Sequence, residues 1–224
     1  MCPVTAMPAA VLWDMDGTLV DTEPYWLGAE TRLVEAWGGV WSHDDGLQLV
    51  GSSLDGSARV FQSRGVDLTT DEIVQLLTDD VLSQIETAVP WRPGARELLL
   101  ELRERSIPTA LVTMSIRRMA ERVVGALGFV GFDIVVAGDD VEHGKPDPES
   151  YLRAAAALGV DPTDCVAIED SEFGIAAAVA SGAVSIAVPT YVPLPPSPSY
   201  TLWPTLEQTS VDDLAAVFVQ NRVS

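Results

Sequence analysis

Val11-Leu12-Trp13-Asp14-Met15-Asp16-Gly17-Thr18-Leu19-Val20-Asp21 is a short apolar run that ends in two carboxylates one residue apart, with Gly-Thr directly behind them. An apolar run of this kind reads as a strand buried in a parallel sheet. Open α/β sheets present their chemistry just past the carboxyl ends of such strands. Asp14 and Asp16 therefore fall where a functional pair of acids is expected. A calcium loop is the first alternative. An EF-hand counted from Asp14 needs Gly at its sixth position and Glu at its twelfth. The chain has Leu19 and Tyr25 there, so that reading fails.

Working outward, helix-spaced apolar residues occupy 25–37, 53–64 and 71–88, with no strand-like alternation between about 22 and 90. From Pro93 onward the pattern changes. Helical segments at 93–105, 116–127, 149–158 and 174–180 alternate with apolar strands at 109–113, 133–137, 165–168 and 184–188. That alternation predicts an α/β fold, a doubly wound parallel sheet with helices on both faces. Residues 1–21 and 91–224 form the core, interrupted after the first strand by an all-helical cap over 22–90. A cap inserted there hangs over the strand ends as a lid that excludes water. Trp91 marks the hinge. The Pro-rich stretch 189–204 reads as a loop, beside the site or as a contact surface, and Ser210 caps a last helix.

The 224 residues supply ample material for a core, 47% of them hydrophobic, and carry a formal charge of −20. Such a field repels nucleic acid and anionic membranes, and repels phosphorylated substrates at long range. A phosphate site must then be made attractive locally. Lys145 is the only lysine, against 12 arginines. Cys2, in a loose lead-in, and Cys165, in an apolar run, give neither a disulfide framework nor a metal spacing. No basic-then-apolar leader is read, so the expected location is the cytoplasm; a monomer is the expected state.

Three further segments repeat the logic of the first. Thr113-Met114-Ser115 closes a strand and opens a helix, which makes either an ordinary cap or an anion site. Gly144-Lys145-Pro146-Asp147-Pro148 presents the lone lysine on a proline-stiffened turn before a helix. Glu169-Asp170-Ser171-Glu172-Phe173-Gly174 again ends an apolar strand in paired acids. Asp14, Asp16, Glu169 and Asp170 together carry four negative charges against the one positive charge of Lys145. Carboxylates packed together cannot all stay ionised uncompensated. A hard divalent cation with oxygen ligands, magnesium, answers that imbalance.

In order and position, these four segments resemble the motifs of the haloacid dehalogenase (HAD) superfamily, across essentially the whole chain. The resemblance implies a Rossmann-like HAD core and phosphoryl transfer through a phospho-aspartate. It implies Asp14 as nucleophile and Asp16 as general acid and base. Thr113, Met114 and Lys145 would hold the phosphate. Asp14, Asp170 and the backbone carbonyl of Asp16 would hold Mg2+, with Glu169 behind them reaching the ion through water.

The family's dehalogenases generally lack the second acid, so Asp16 argues for phosphoryl transfer. Its β-phosphoglucomutase branch carries a His where this chain has Trp26 and an Arg where it has Leu54. A leucine cannot bind the second phosphate that a mutase needs. Asp21-Thr22-Glu23-Pro24 resembles the sugar-phosphate phosphatases instead. The expectation is a phosphatase acting on a small phosphorylated metabolite; a mutase and a non-catalytic binding protein on the same fold are the alternatives. Glu23, Trp26, Ser52 and Ser53 are the candidates to face substrate, although Trp26 also suits helix packing and Glu23 suits the helix dipole. His43, His143 and the Arg117-Arg118 pair read as surface residues.

Overall fold

The structure, a computed structural model, describes residues 6–222; Cys2 lies outside them. β1 (Ala10–Trp13) is followed by four helices, α1 (Glu23–Ala36), α2 (His43–Leu47), α3 (Leu54–Ser63) and α4 (Thr70–Ile85). Helices and strands then alternate through α5 (Ala95–Glu104), β2 (Thr109–Val112), α6 (Arg117–Gly125), β3 (Ile134–Val136), α7 (Glu149–Leu158), β4 (Cys165–Glu169), α8 (Glu172–Ala180) and β5 (Val184–Ala187). β6 (Thr201–Leu202) and α9 (Val211–Arg222) follow.

The strands form one parallel sheet in the order β3-β2-β1-β4-β5-β6. The order reverses direction at β1, which makes its carboxyl end a topological switch point. Register then decides which residues meet there. Trp13 pairs with Leu111 on one side and Ile168 on the other, so Asp14, Thr113 and Glu169 emerge at one end of the sheet.

Both sheet faces are covered, as the unbroken apolar strands require. Val11, Trp13, Leu111, Val166 and Ile168 pack on one face. Ala10, Leu12, Ala110, Val112 and Ala167 pack on the other, with Tyr151, Ala154 and Ala177 against them. The alternation follows the two-residue period of a strand. Leu12 is fully buried, and Leu12→Ala would cost about 2–5 kcal/mol in transfer and cavity terms.

Between β1 and α5, the described segment is helical. Reciprocal caps start α2 (Ser42 with Asp45) and α4 (Thr69 with Glu72), and Ser53 caps α3. Trp41 and Phe61 meet with ring centroids 4.9 Å apart in the middle of the helices. Their apolar cluster is continuous with that under the sheet. The two chain crossings lie side by side: Val20 bridges Trp91, and the Arg92 N–H donates to the Leu19 carbonyl (3.0 Å).

Two short elements differ from the sequence-based expectation. Five residues of α2 are too few to show a helical period, and its reciprocal cap was the only local signal. β6 lies inside the Pro-rich stretch and is two residues long, held by pairing with β5. The start of that stretch packs beside the first turn. Thr190 Oγ1 donates to the Gly17 carbonyl (3.0 Å) and the Tyr191 hydroxyl to Asp21 (2.7 Å). Among the described residues, no helix is long and apolar enough to cross a membrane.

Candidate active site

Asp14 follows β1 directly, and its N–H donates to the Ile168 carbonyl (3.0 Å), extending the sheet by one rung. That rung sets its carboxylate beside those of β4. Lys145 arrives from the loop between β3 and α7. Its ammonium donates to Asp14 Oδ1 (2.6 Å), Glu169 Oε1 (2.5 Å) and the Val112 carbonyl (3.0 Å). All three N–H donors are therefore used. Burial alone would lower the lysine pKa, but Asp14 and Glu169 hold it above the usual range.

Glu169 is fully buried. Its Oε1 also accepts from the Tyr151 hydroxyl (2.5 Å), and its Oε2 accepts from Ser171 Oγ (3.4 Å). Asp14 Oδ2 is buried with no hydrogen-bond partner, an arrangement that costs free energy unless a ligand completes it. Carboxylate oxygens of Asp14, Glu169 and Asp170 lie within 4.8 Å of one another. Burial and Glu169 push the Asp14 carboxyl up to about 8 against the pull of Lys145. Burial, then Asp14 and Glu169, push Asp170 up as well. An orphaned oxygen within an all-oxygen cluster fits a hard divalent cation. Glycines make room for these acids. A Cβ on Gly17 would stand 2.0 Å from Asp170 Oδ2, and one on Gly174 would stand 1.9 Å from Glu169 Oε2.

The Asp16 carboxylate points away from that cluster. Its Oδ2 accepts from Ser115 Oγ (2.8 Å) and Thr113 Oγ1 (3.2 Å). Its Oδ1 accepts from Thr22 Oγ1 (2.5 Å) and Trp26 Nε1 (3.2 Å). Of the acids expected at a metal, Asp16 could thus contribute only through its backbone.

A cavity between the helices and the sheet gathers Asp14, Asp16, Thr113, Met114, Lys145 and Asp170 on its floor. Glu23, Trp26 and Ser52 line it from above. Ser53 does not: its hydroxyl accepts from the Gly56 N–H (3.2 Å) as the α3 cap, and it faces a neighbouring cavity. The Ser53 side chain thus serves the end of α3, beside the cavity that Ser52 lines. Arg117 is paired with Asp140, and Arg118 reaches across to Asp79 on α4 (2.6 Å). His43 is exposed, and His143 sits 3.2 Å from Glu149.

Glu30 and Ser57 line the cavity and were not singled out from sequence. Trp41 Nε1 donates to Glu30 Oε2 (3.0 Å). Burial pushes the Glu30 carboxyl up to about 7, partly offset by that bond. Glu23 is pushed up to about 8 by burial, then by Glu30, Asp16 and Asp21. Residues 23, 26 and 30 fall on one face of α1, a spacing visible in sequence.

Comparison with known proteins places this geometry in a family. A model of haloacid dehalogenase-like hydrolases matches residues 8–182. Hexitol phosphatase B of Escherichia coli is 33% identical over 184 residues, 80% of this chain and 83% of that protein. Fructose-1-phosphate phosphatase YqaB of the same organism is 34% identical, over 78% of this chain and 93% of its own length. Among solved structures, CbbY from Rhodobacter sphaeroides in complex with phosphate is similar, with a TM-score of 0.81 and 26% identity, over 90% of this chain and 96% of that one. β-Phosphoglucomutase from Clostridium difficile has a TM-score of 0.84 over 97% of this chain and all of its own, and at 24% identity it shares the fold. With a family model over residues 8–182 and relatives above 30% identity along most of both chains, the chain belongs to the haloacid dehalogenase-like hydrolases.

Proposed function

We propose that this hydrolase is a magnesium-dependent phosphatase that releases inorganic phosphate from a sugar or sugar-alcohol monophosphate. The observation that carries the reading is the buried Lys145 ammonium held on Asp14, one residue from an acid that faces the same cavity. The phosphatase names of the two Escherichia coli relatives support the substrate class.

Asp14 attacks phosphorus in line; an Asp14 O–P bond forms as the ester P–O bond breaks. Asp16 gives its proton to the departing alcohol. Asp16 then takes a proton from water, whose oxygen attacks phosphorus and frees Asp14 and inorganic phosphate. Lys145 and Thr113 neutralise and orient the equatorial phosphoryl oxygens. Asp14, Asp170 and the Asp16 backbone carbonyl would hold Mg2+, with Glu169 behind them, and the ion would supply charge neutralisation at the phosphoryl group. Residues 22–90 act as the lid, and the paired crossings at Val20 and Trp91 are its hinge.

A mutase must retain a second phosphate. Leu54 lines the cavity on the lid side, where it offers an anion nothing. Phosphorus NMR of the protein with Mg2+ and a panel of sugar phosphates tests the reading. The expected result is accumulating inorganic phosphate that vanishes in Asp14→Asn. Phosphate migrating from carbon 1 to carbon 6 of glucose without release would establish a mutase. A biological effect that survives Asp14→Asn would establish a non-catalytic role.

A further inference from the structure

The charges around the cavity are divided by side. The cation of the floor is Lys145, and a bound divalent ion would add to that side. Among the described residues, the lid contributes no Lys or Arg to the lining. Its polar groups there are Glu23, Trp26, Glu30, Ser52 and Ser57. Two of the five are acids on the same face of α1. Glu30 is 6% exposed, and the Trp41 indole fixes one of its oxygens. Fixing a buried carboxyl in this way sacrifices solvation, so a site that keeps one facing a ligand cavity uses it for recognition or for exclusion.

We propose that Glu30, with Glu23 beside it, makes the lid read the part of the substrate beyond the phosphate as an uncharged polyhydroxylated chain, and that it rejects substrates carrying a second anion. This rests on the phosphatase reading above. A carboxyl of either protonation state can hydrogen-bond a hydroxyl. A carboxylate or second phosphate on the substrate would lie in a poorly solvated space with acids around it and no lid cation to pair with. Above about pH 8, where both acids are ionised, like charges set together on binding cost several kcal/mol. The rejection is thus built into the wall, independent of the floor that performs the chemistry.

A matched pair of substrates tests this. Glucitol 6-phosphate and 6-phosphogluconate share a six-carbon chain and differ in a terminal hydroxymethyl against a carboxylate. The readout is the ratio of their kcat/KM values at pH 9 in the wild type, Glu30→Gln and Glu23→Gln, with para-nitrophenyl phosphate reporting the floor chemistry and circular dichroism the fold. The wild type should favour the hexitol phosphate by about tenfold or more, equal to about 1.4 kcal/mol. Either variant should shrink that ratio severalfold, whatever it does to the absolute rates. Equal turnover of the pair by the wild type overturns the proposal. So does a ratio that neither variant moves. A chain that hydrolyses para-nitrophenyl phosphate yet shows either of those results leaves the phosphatase reading standing. Absence of turnover of all three compounds removes both.

Discussion

Trp26 Nε1 donates to Asp16 Oδ1 at 3.2 Å, so an indole on α1 touches the carboxylate proposed as general acid and base. The same oxygen accepts from Thr22, while Ser115 and Thr113 hold its partner oxygen from the core. Asp16 is therefore gripped from both sides of the cavity, and its orientation depends on where α1 sits. Trp26→Phe keeps the ring and removes the donor. One hydrogen bond of this kind contributes about 1 kcal/mol, or roughly fivefold in rate. We expect kcat to fall by that factor with little change in KM, measured by steady-state kinetics on a hexitol phosphate.

Asp14→Asn should abolish turnover without unfolding the chain. The amide removes one of three acids crowded within 4.8 Å, while Lys145 keeps its bond to Glu169. Thermal unfolding in EDTA should show Tm unchanged or raised, because like-charge repulsion among buried carboxylates is relieved.

Lys145→Gln should do the opposite. Its side chain is 2% exposed and serves two carboxylates. Losing one partner of a buried ion pair costs about 3–5 kcal/mol, because uncompensated charge is left behind. Urea unfolding should reveal that loss, along with loss of activity.

Chelation should lower Tm, and returning Mg2+ should raise it. A ligand that binds the folded state alone stabilises it by about 2.7 kcal/mol at one hundred times its dissociation constant. A Tm that is the same in EDTA and in excess Mg2+ would contradict the cation assigned to Asp14 and Asp170.

Stability should also follow the protonation of Glu30. Burial pushes its carboxyl from an ordinary 4.5 to about 7. Below pH 4.5 both folded and unfolded chains hold the proton. Between 4.5 and 7 the unfolded chain releases it first, so stability falls as pH rises, by about 3 kcal/mol in all. Glu30→Gln lacks that proton. Its Tm should match the wild type near pH 4 and exceed it at pH 8, as read by calorimetry across the range.

The sheet was legible because each of its strands β1, β2, β4 and β5 is an apolar run closed by a turn, and because chemistry in such sheets gathers at strand ends. Asp14, Thr113, Glu169 and Asp170 were each visible for that reason, and Lys145 stood out instead as the lone lysine on a proline-stiffened turn before a helix. Glu30 and Ser57 were not, because a helix residue reaches a cavity only by the rotation of its helix, which packing decides. The spacing of 23, 26 and 30 held part of the answer, since Glu23 and Trp26 were candidates to face substrate and residue 30 lies on the same helix face. Ser53 differs for a related reason: a serine before a helix serves the cap, and its hydroxyl accepts there from the Gly56 N–H. The two-residue β6 has no local signal, since its neighbour β5 defines it.

Because Lys145 is the chain's only lysine, its ε-amine is a chemical label already in place at the bottom of the cavity. An amine-directed reagent can reach it only after the ammonium has left Asp14 and Glu169 and, on the proposed reading, the lid has lifted. The rate at which the Lys145 adduct accumulates in peptide mass spectra is therefore a clock for opening of the proposed lid, and a bound substrate should stop it.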